Sequence, residues 1–201
     1  MTLLQIWVLL QLILFYAIFI GRSITLPLIY GINPFSLGKG KKGWQRLMEL
    51  FLLVGLMDWT WEVVNEIFGW GVTILPEIFY VELFDFWLLD AAGSGLLLTG
   101  NLIFAWALHS FGTSWRIGID HQSPGTLVTS GVFGKSRNPI FIAFDGIFLG
   151  VALIYGNLFF VIAFLLTAAG IHYQILQEER FLNQRHGTAY VEYCQRVRRY
   201  F

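Results

Sequence analysis

The stretch PIFIAFDGIFLGVALIYGNLFFVIAFLLTAAGIHYQILQ, residues 139–177, holds one formal charge, Asp145, among apolar and small side chains. A hydrocarbon core about 30 Å thick is crossed by about 20 mostly apolar helical residues. The stretch is about twice that long, and Gly156-Asn157 breaks it near the middle. It reads as two membrane helices, 139–155 and 157–177, joined by a tight turn. Outward from this hairpin, similar stretches stand at 3–20, 47–68 and 86–108. The expected fold is all-α: one polytopic membrane domain, 1–201, with five transmembrane helices. Residues 1–108 form a three-helix scaffold, and 109–201 hold a polar connection, the hairpin and a charged tail.

The basic residues agree with this count. Arg22, Lys39, Lys41, Lys42 and Arg46 follow the first helix; Arg116, Lys135 and Arg137 follow the third; Arg180, Arg185, Arg196, Arg198 and Arg199 follow the fifth. With five spans all 13 lie on one side, which the positive-inside rule makes cytoplasmic. The N-terminus is then outside and the tail cytoplasmic. No basic residue precedes Leu3, so the first helix is expected to be uncleaved. Nothing calls for a eukaryotic organelle, and the expected place is a prokaryotic cytoplasmic membrane.

Composition narrows the classes further. The chain is 56% hydrophobic and 13% charged, about half the charge of a soluble domain. That excludes a disordered chain. Thirteen basic residues balance thirteen acidic ones, so no net field draws nucleic acid. One cysteine, Cys194, forbids an internal disulfide and a multi-cysteine zinc site. No HExxH spacing is present and no metal is expected. The Gly38-to-Gly43 run lacks P-loop spacing and reads as a lipid-headgroup contact. Oligomeric state leaves no mark in the sequence.

Ionisable residues inside a membrane are costly, and each is a functional candidate. Asp58, Glu62 and Glu66 recur every four residues on one helix face, with Asp90 expected at the same level. They read as a cation or proton site, or as a rim facing water or bonded to the Trp59, Trp61 or Trp70 indoles; the second reading is favoured. The cytoplasmic end is richer. Arg137, Phe141 and Asp145 follow one another at helical spacing, Gln174 and Glu178 share a face, and His172 and Glu179 share another. Polar and aromatic groups converge there, as suits a polar ligand from water and an acceptor from lipid.

Residues 126–139, TLVTSGVFGKSRNP, resemble the TLVTSGxY…RHP segment of isoprenylcysteine carboxyl methyltransferases. Glu178-Glu179-Arg180-Phe181-Leu182, then His186 to Tyr193 and Val197-Arg198-Arg199, resemble the same family's tail, shared with the phospholipid methyltransferases. The likeness covers 109–201. It implies an S-adenosylmethionine-dependent membrane methyltransferase whose catalytic, cofactor-binding half is 109–201. By position, Thr126, Leu127, Val128 and Phe133 would line the adenosine end. Arg137, Asn138 and Pro139 would lie against the cofactor, Glu178 and Glu179 would hold its polar groups, and Tyr190 and Tyr193 would cover it. His172, Gln174 and Phe141 would face the acceptor. Arg137, Asn138, Asp145 and Glu179 are the catalytic candidates, with Asp145, His172 or Glu179 taking a proton where the acceptor must lose one.

Five departures bear on substrate. Asn138 stands where the family has histidine, Phe141 where it has tyrosine, Ala143 where it has glycine, Gly125 where a histidine precedes the TLV run, and Gln174 where isoprenylcysteine enzymes place the arginine for a substrate carboxylate. The expected activity is methylation of a lipophilic acceptor at the cytoplasmic face, isoprenylcysteine carboxyl methyltransferase-like. The alternatives are phospholipid or amine N-methylation and, in another class, a small cation or proton conductor built on Asp58, Glu62, Glu66 and Asp90.

Overall fold

The structure, a computed structural model, describes residues 1–36, 43–117 and 126–200, with Gln45 for its backbone alone. The Gly38-to-Gly43 run lies outside the described residues except for Gly43, as does Gly125. The described α-helices are α1 (Leu3–Tyr30), α2 (Trp44–Phe68), α3 (Trp87–Phe111), α4 (Pro139–Tyr155), α5 (Leu158–His186) and α6 (Thr188–Arg196). Single 3-10 turns stand at Glu77–Tyr80, Gly112–Ser114 and Gly131–Gly134. Only isolated bridges, no strand, occur among the described residues. Each of the five apolar stretches is a helix.

Three helical stretches, Leu3–Tyr30, Trp87–Ser114 and Leu158–His186, are long and apolar enough to cross a membrane. The apolar α4 is shorter, at 17 residues, and α2 carries Arg46, Glu49, Asp58, Glu62 and Glu66. Leu3, Leu28, Met57 and Trp87 stand exposed, as an apolar surface suited to lipid. This is an integral membrane protein.

α1 runs ten residues beyond the stretch read as apolar, because its late polar side chains bond to backbone. Ser23 Oγ donates to Phe19 O at 2.8 Å, and the Arg22 guanidinium donates to Gly112 O. Inside the bundle, Asn101 Nδ2 of α3 donates to Gln11 Oε1 of α1 at 3.0 Å. Phe15, Phe104 and Phe144 pack around this joint, with Phe15 5.3 Å from Phe104 and 5.6 Å from Phe144 between ring centres.

α3 and α4 approach closely through glycines. A Cβ on Gly93 would lie 2.5 Å from Gly150 O, and one on Gly150 2.8 Å from Gly93 O. Trp59 of α2 stacks on Phe148 of α4 at 4.4 Å.

The α4–α5 turn is built by Gly156, whose φ of 59° favours glycine, and by Asn157. Asn157 Oδ1 caps α5 by accepting from Phe160 N at 3.1 Å, while its Nδ2 donates to Glu66 Oε1 at 3.2 Å. Segment 69–85 closes over this end. Leu83 N donates to Gly156 O at 2.8 Å and Leu158 N to Val81 O at 3.1 Å.

The acidic stripe ends in this cap. Glu62, 1% exposed, accepts from Tyr80 OH at 2.7 Å, Ile74 N at 3.3 Å and Asn65 Nδ2 at 3.5 Å. Burial, then the bond to Glu62, pushes the Tyr80 hydroxyl up to about 12. The indoles are not the donors: Trp61 Nε1 bonds to Val72 O at 3.2 Å, and Trp59 Nε1 has no partner among the described residues. The indole of a helical residue points along its own face, whereas the returning segment 72–80 meets Glu62 directly. Asp90 interacts electrostatically with Asp85 and does not join the network.

Candidate active site

Pro139 opens α4, where its fixed φ and missing N–H are tolerated. Asn138, just before it, is 7% exposed, and its N–H bonds to Ser136 Oγ at 3.1 Å. The Gly131–Gly134 turn brings Phe133 beneath α3, against Phe111 at 4.6 Å. α5 runs past the core to His186. Gly187, with φ 52°, then reverses the chain into α6. Tyr190 and Tyr193 of α6 are buried with Val197 against Leu127 and Leu182. Tyr193 OH donates to Phe133 O at 2.7 Å, tying α6 to the connection before α4.

These elements enclose a cavity of about 1290 Å³. Thr126, Leu127, Val128, Phe133, Arg137, Asn138, Pro139 and Phe141 line it from one side, and Gln174, Glu178, Glu179, Tyr190 and Tyr193 from the other. The two motif blocks, separated in sequence by the hairpin, thus meet in one space. α2 supplies a further wall that the sequence reading did not anticipate, from Glu49 through Leu52, Val54 and Met57 to Asp58 and Trp61. Arg116 and Trp115 also contribute. Asp58 has no hydrogen-bond donor among the described residues, and the like-charged Glu62 stands near it.

The polar end centres on Glu179. Arg137 Nη2 lies 3.1 Å from its Oε1, and Arg199 donates from Nε to Oε1 at 3.1 Å and from Nη2 to Oε2 at 2.7 Å. The bond to Glu179 holds the Arg199 guanidinium above its ordinary value. Burial pushes the Tyr193 hydroxyl up to about 12 against the opposing charge of Arg137, so it remains a donor at neutral pH. Burial also raises Tyr190.

Asp145 and His172 do not line the cavity. Phe141, Phe144 and Phe148 point an aromatic stripe of α4 into it, and Asp145 lies at that stripe's edge, with Oδ1 buried and unpartnered. His172 Nδ1 pairs with Tyr200 OH at 2.7 Å. The hydrogen bonds of Arg199 and Tyr200 were also missed, although Val197-Arg198-Arg199 carried part of the resemblance.

A family model for phospholipid methyltransferases matches residues 89–189, just over half of the chain. The chain belongs to the phospholipid methyltransferase family. The match runs from α3 into α6 and includes Thr126, Arg137, Gln174 and Glu179. No curated protein matches the chain, and no solved structure does. Membership makes it a membrane methyltransferase.

Proposed function

We propose that the protein transfers a methyl group from S-adenosylmethionine to a lipophilic acceptor, in the cavity between α4, α5 and α6. The convergence of both motif blocks on that cavity carries the reading. A five-span reading, which would set all 13 Lys and Arg residues on one side, supports a site at the cytoplasmic end, where the cofactor is dissolved.

The residues present fit that cofactor. Leu127, Val128 and Phe133 offer an apolar slot for a flat ring, Thr126 a hydroxyl, and Glu178 and Glu179 carboxylates. Arg137 Nε is buried without a protein partner, which leaves a charged donor for a ligand carboxylate. When bound, S-adenosylmethionine supplies a methyl on a sulfonium for in-line displacement. The protein's share is alignment and the exclusion of water. Tyr190 and Tyr193 close one side, and the aromatic wall from Phe141 to Phe148 keeps the interior apolar.

The acceptor we favour is an amine-bearing lipid, in line with the family. Gln174 faces the cavity where a prenylcysteine carboxylate would need a cation, and the remaining donor of Arg137 is the one proposed here for the cofactor's carboxylate. Asp58 puts an unbonded carboxylate into the wall, which suits a cationic or donor group. Methyl esterification of a prenylcysteine is the second reading, favoured by the TLVTSG resemblance.

Calorimetry of S-adenosylmethionine on protein in lipid nanodiscs tests the first claim. Saturable binding by the wild type, sharply weakened in Arg137→Ala and Glu178→Gln, is expected. Absence of binding by folded wild type overturns it. Labelled-methyl transfer to phosphatidylethanolamine, set against a farnesylcysteine analogue, then decides between the acceptors.

A further inference from the structure

We propose that Arg199 is a positioning residue of the cofactor site and that Arg198–Tyr200 brace the lining residues from behind, an inference that rests on the methyltransferase reading. The family match ends at residue 189 and assigns nothing here. Arg199 does not line the cavity, but the carboxylate it grips does. Its planar fork takes both oxygens of Glu179, a geometry that fixes the orientation of the carboxylate as well as its place.

Backbone bonds make the same three residues part of the site's frame. Arg198 O accepts from Arg137 N at 3.0 Å. Arg199 O accepts from Asn138 Nδ2 at 3.1 Å and from Ser136 Oγ at 3.2 Å. Tyr200 OH meets His172 at 2.7 Å. The tail thus holds the Ser136–Asn138 loop and two turns of α5 together. Asn138 acts as an anchor here: an amide donates at any pH, and this one donates to the tail.

The order of contacts says what is positioned. Arg199 fixes Glu179, Glu179 fixes Arg137 through Nη2, and Arg137 keeps Nε buried and unpartnered. Exposed ion pairs contribute little, and Arg199 is itself 36% exposed, but the Glu179 and Arg137 side chains it orders are only 15% and 13% exposed. Without Arg199, Glu179 answers to Arg137 alone, and the orientation of the pair is lost.

The test uses full-length protein in nanodiscs as wild type, Arg199→Ala, Arg199→Lys, Arg137→Ala and the Arg199→Ala/Arg137→Ala double variant. Two readouts are S-adenosylmethionine affinity by calorimetry and ligand-free hydrogen exchange across 134–141. Arg199→Ala should weaken binding at least tenfold, Arg199→Lys should recover only part, and the double variant should bind no worse than Arg137→Ala. Exchange at the Arg137 amide should rise in Arg199→Ala while the α3 core stays protected, which separates lost positioning from unfolding. Wild-type affinity in Arg199→Ala, or full rescue by lysine, overturns the positioning role and leaves the methyltransferase reading standing. Absence of binding by the wild type overturns both.

Discussion

Among the described residues, carboxylate networks centred on Glu62 and Glu179 stand at opposite ends of the bundle, and they are built oppositely. Glu62, beneath segment 69–85, is satisfied by a hydroxyl, an amide and a backbone N–H. Glu179, near the end of α5, is held between two guanidiniums. The first network closes on itself and joins α2 to its cap. The second leaves a buried donor on Arg137 and opens on a cavity. A buried charge alone does not mark a site; a buried charge whose partners retain unused bonding capacity beside a cavity does.

The strongest way to break this contrast is Glu179→Leu. It strands two cations, and S-adenosylmethionine binding should fall at least a hundredfold by calorimetry; retained binding would make the two ends equivalent. Glu62→Gln should do the reverse, leaving affinity within about twofold while the melting temperature falls several degrees, as expected for about 1–2 kcal/mol of weakened buried bonding. A loss of binding there would tie the acidic stripe to the chemistry. Asn157→Ala should lower stability by about 1 kcal/mol through the lost cap, read as a shift in melting temperature with no change in affinity.

Salt and pH give smaller effects. Raising salt should weaken the Arg199–Glu179 grip, seen as faster exchange at Arg137, and leave the Glu62 cap unchanged because its donors are neutral. Tyr80 and Tyr193 are each pushed up to about 12. Their folded values lie above the ordinary 10, so the stability they add is complete below about pH 10 and is lost as pH rises towards about 12. Tyrosinate absorbance should show Tyr193→Phe removing one late-titrating group; an unchanged late phase would contradict its burial.

The helices were legible because bilayer thickness dictates their length and because Pro139, Gly156 and Asn157 punctuate them. The end of α1 was not, since Arg22, Ser23 and Thr25 look like a helix exit until their bonds to backbone carbonyls are known. Leu127, Phe133, Arg137 and Glu179 were legible because motif blocks lie contiguously in sequence. Asp145 and His172 looked equal to them, since spacing places residues on a common face without saying what that face meets. The wall from α2 and the Arg199 contact depend on how distant segments return, and Gly187 alone hints at the reversal.

The glycine contact between α3 and α4 has a mechanical consequence. With Gly93 and Gly150 backbone to backbone and Leu97 and Ile147 seated against Gly150 and Gly100, these helices interlock and have no slack to take up. They behave as one plank, carrying Phe104, Phe141 and Pro139 as a fixed floor. Any breathing that admits a lipid must then come from the opposite side, where α2 leans on the cavity through flexible Leu and Met side chains. The rate of acceptor entry should therefore follow the fluidity of the surrounding bilayer more closely than the internal stiffness of the protein.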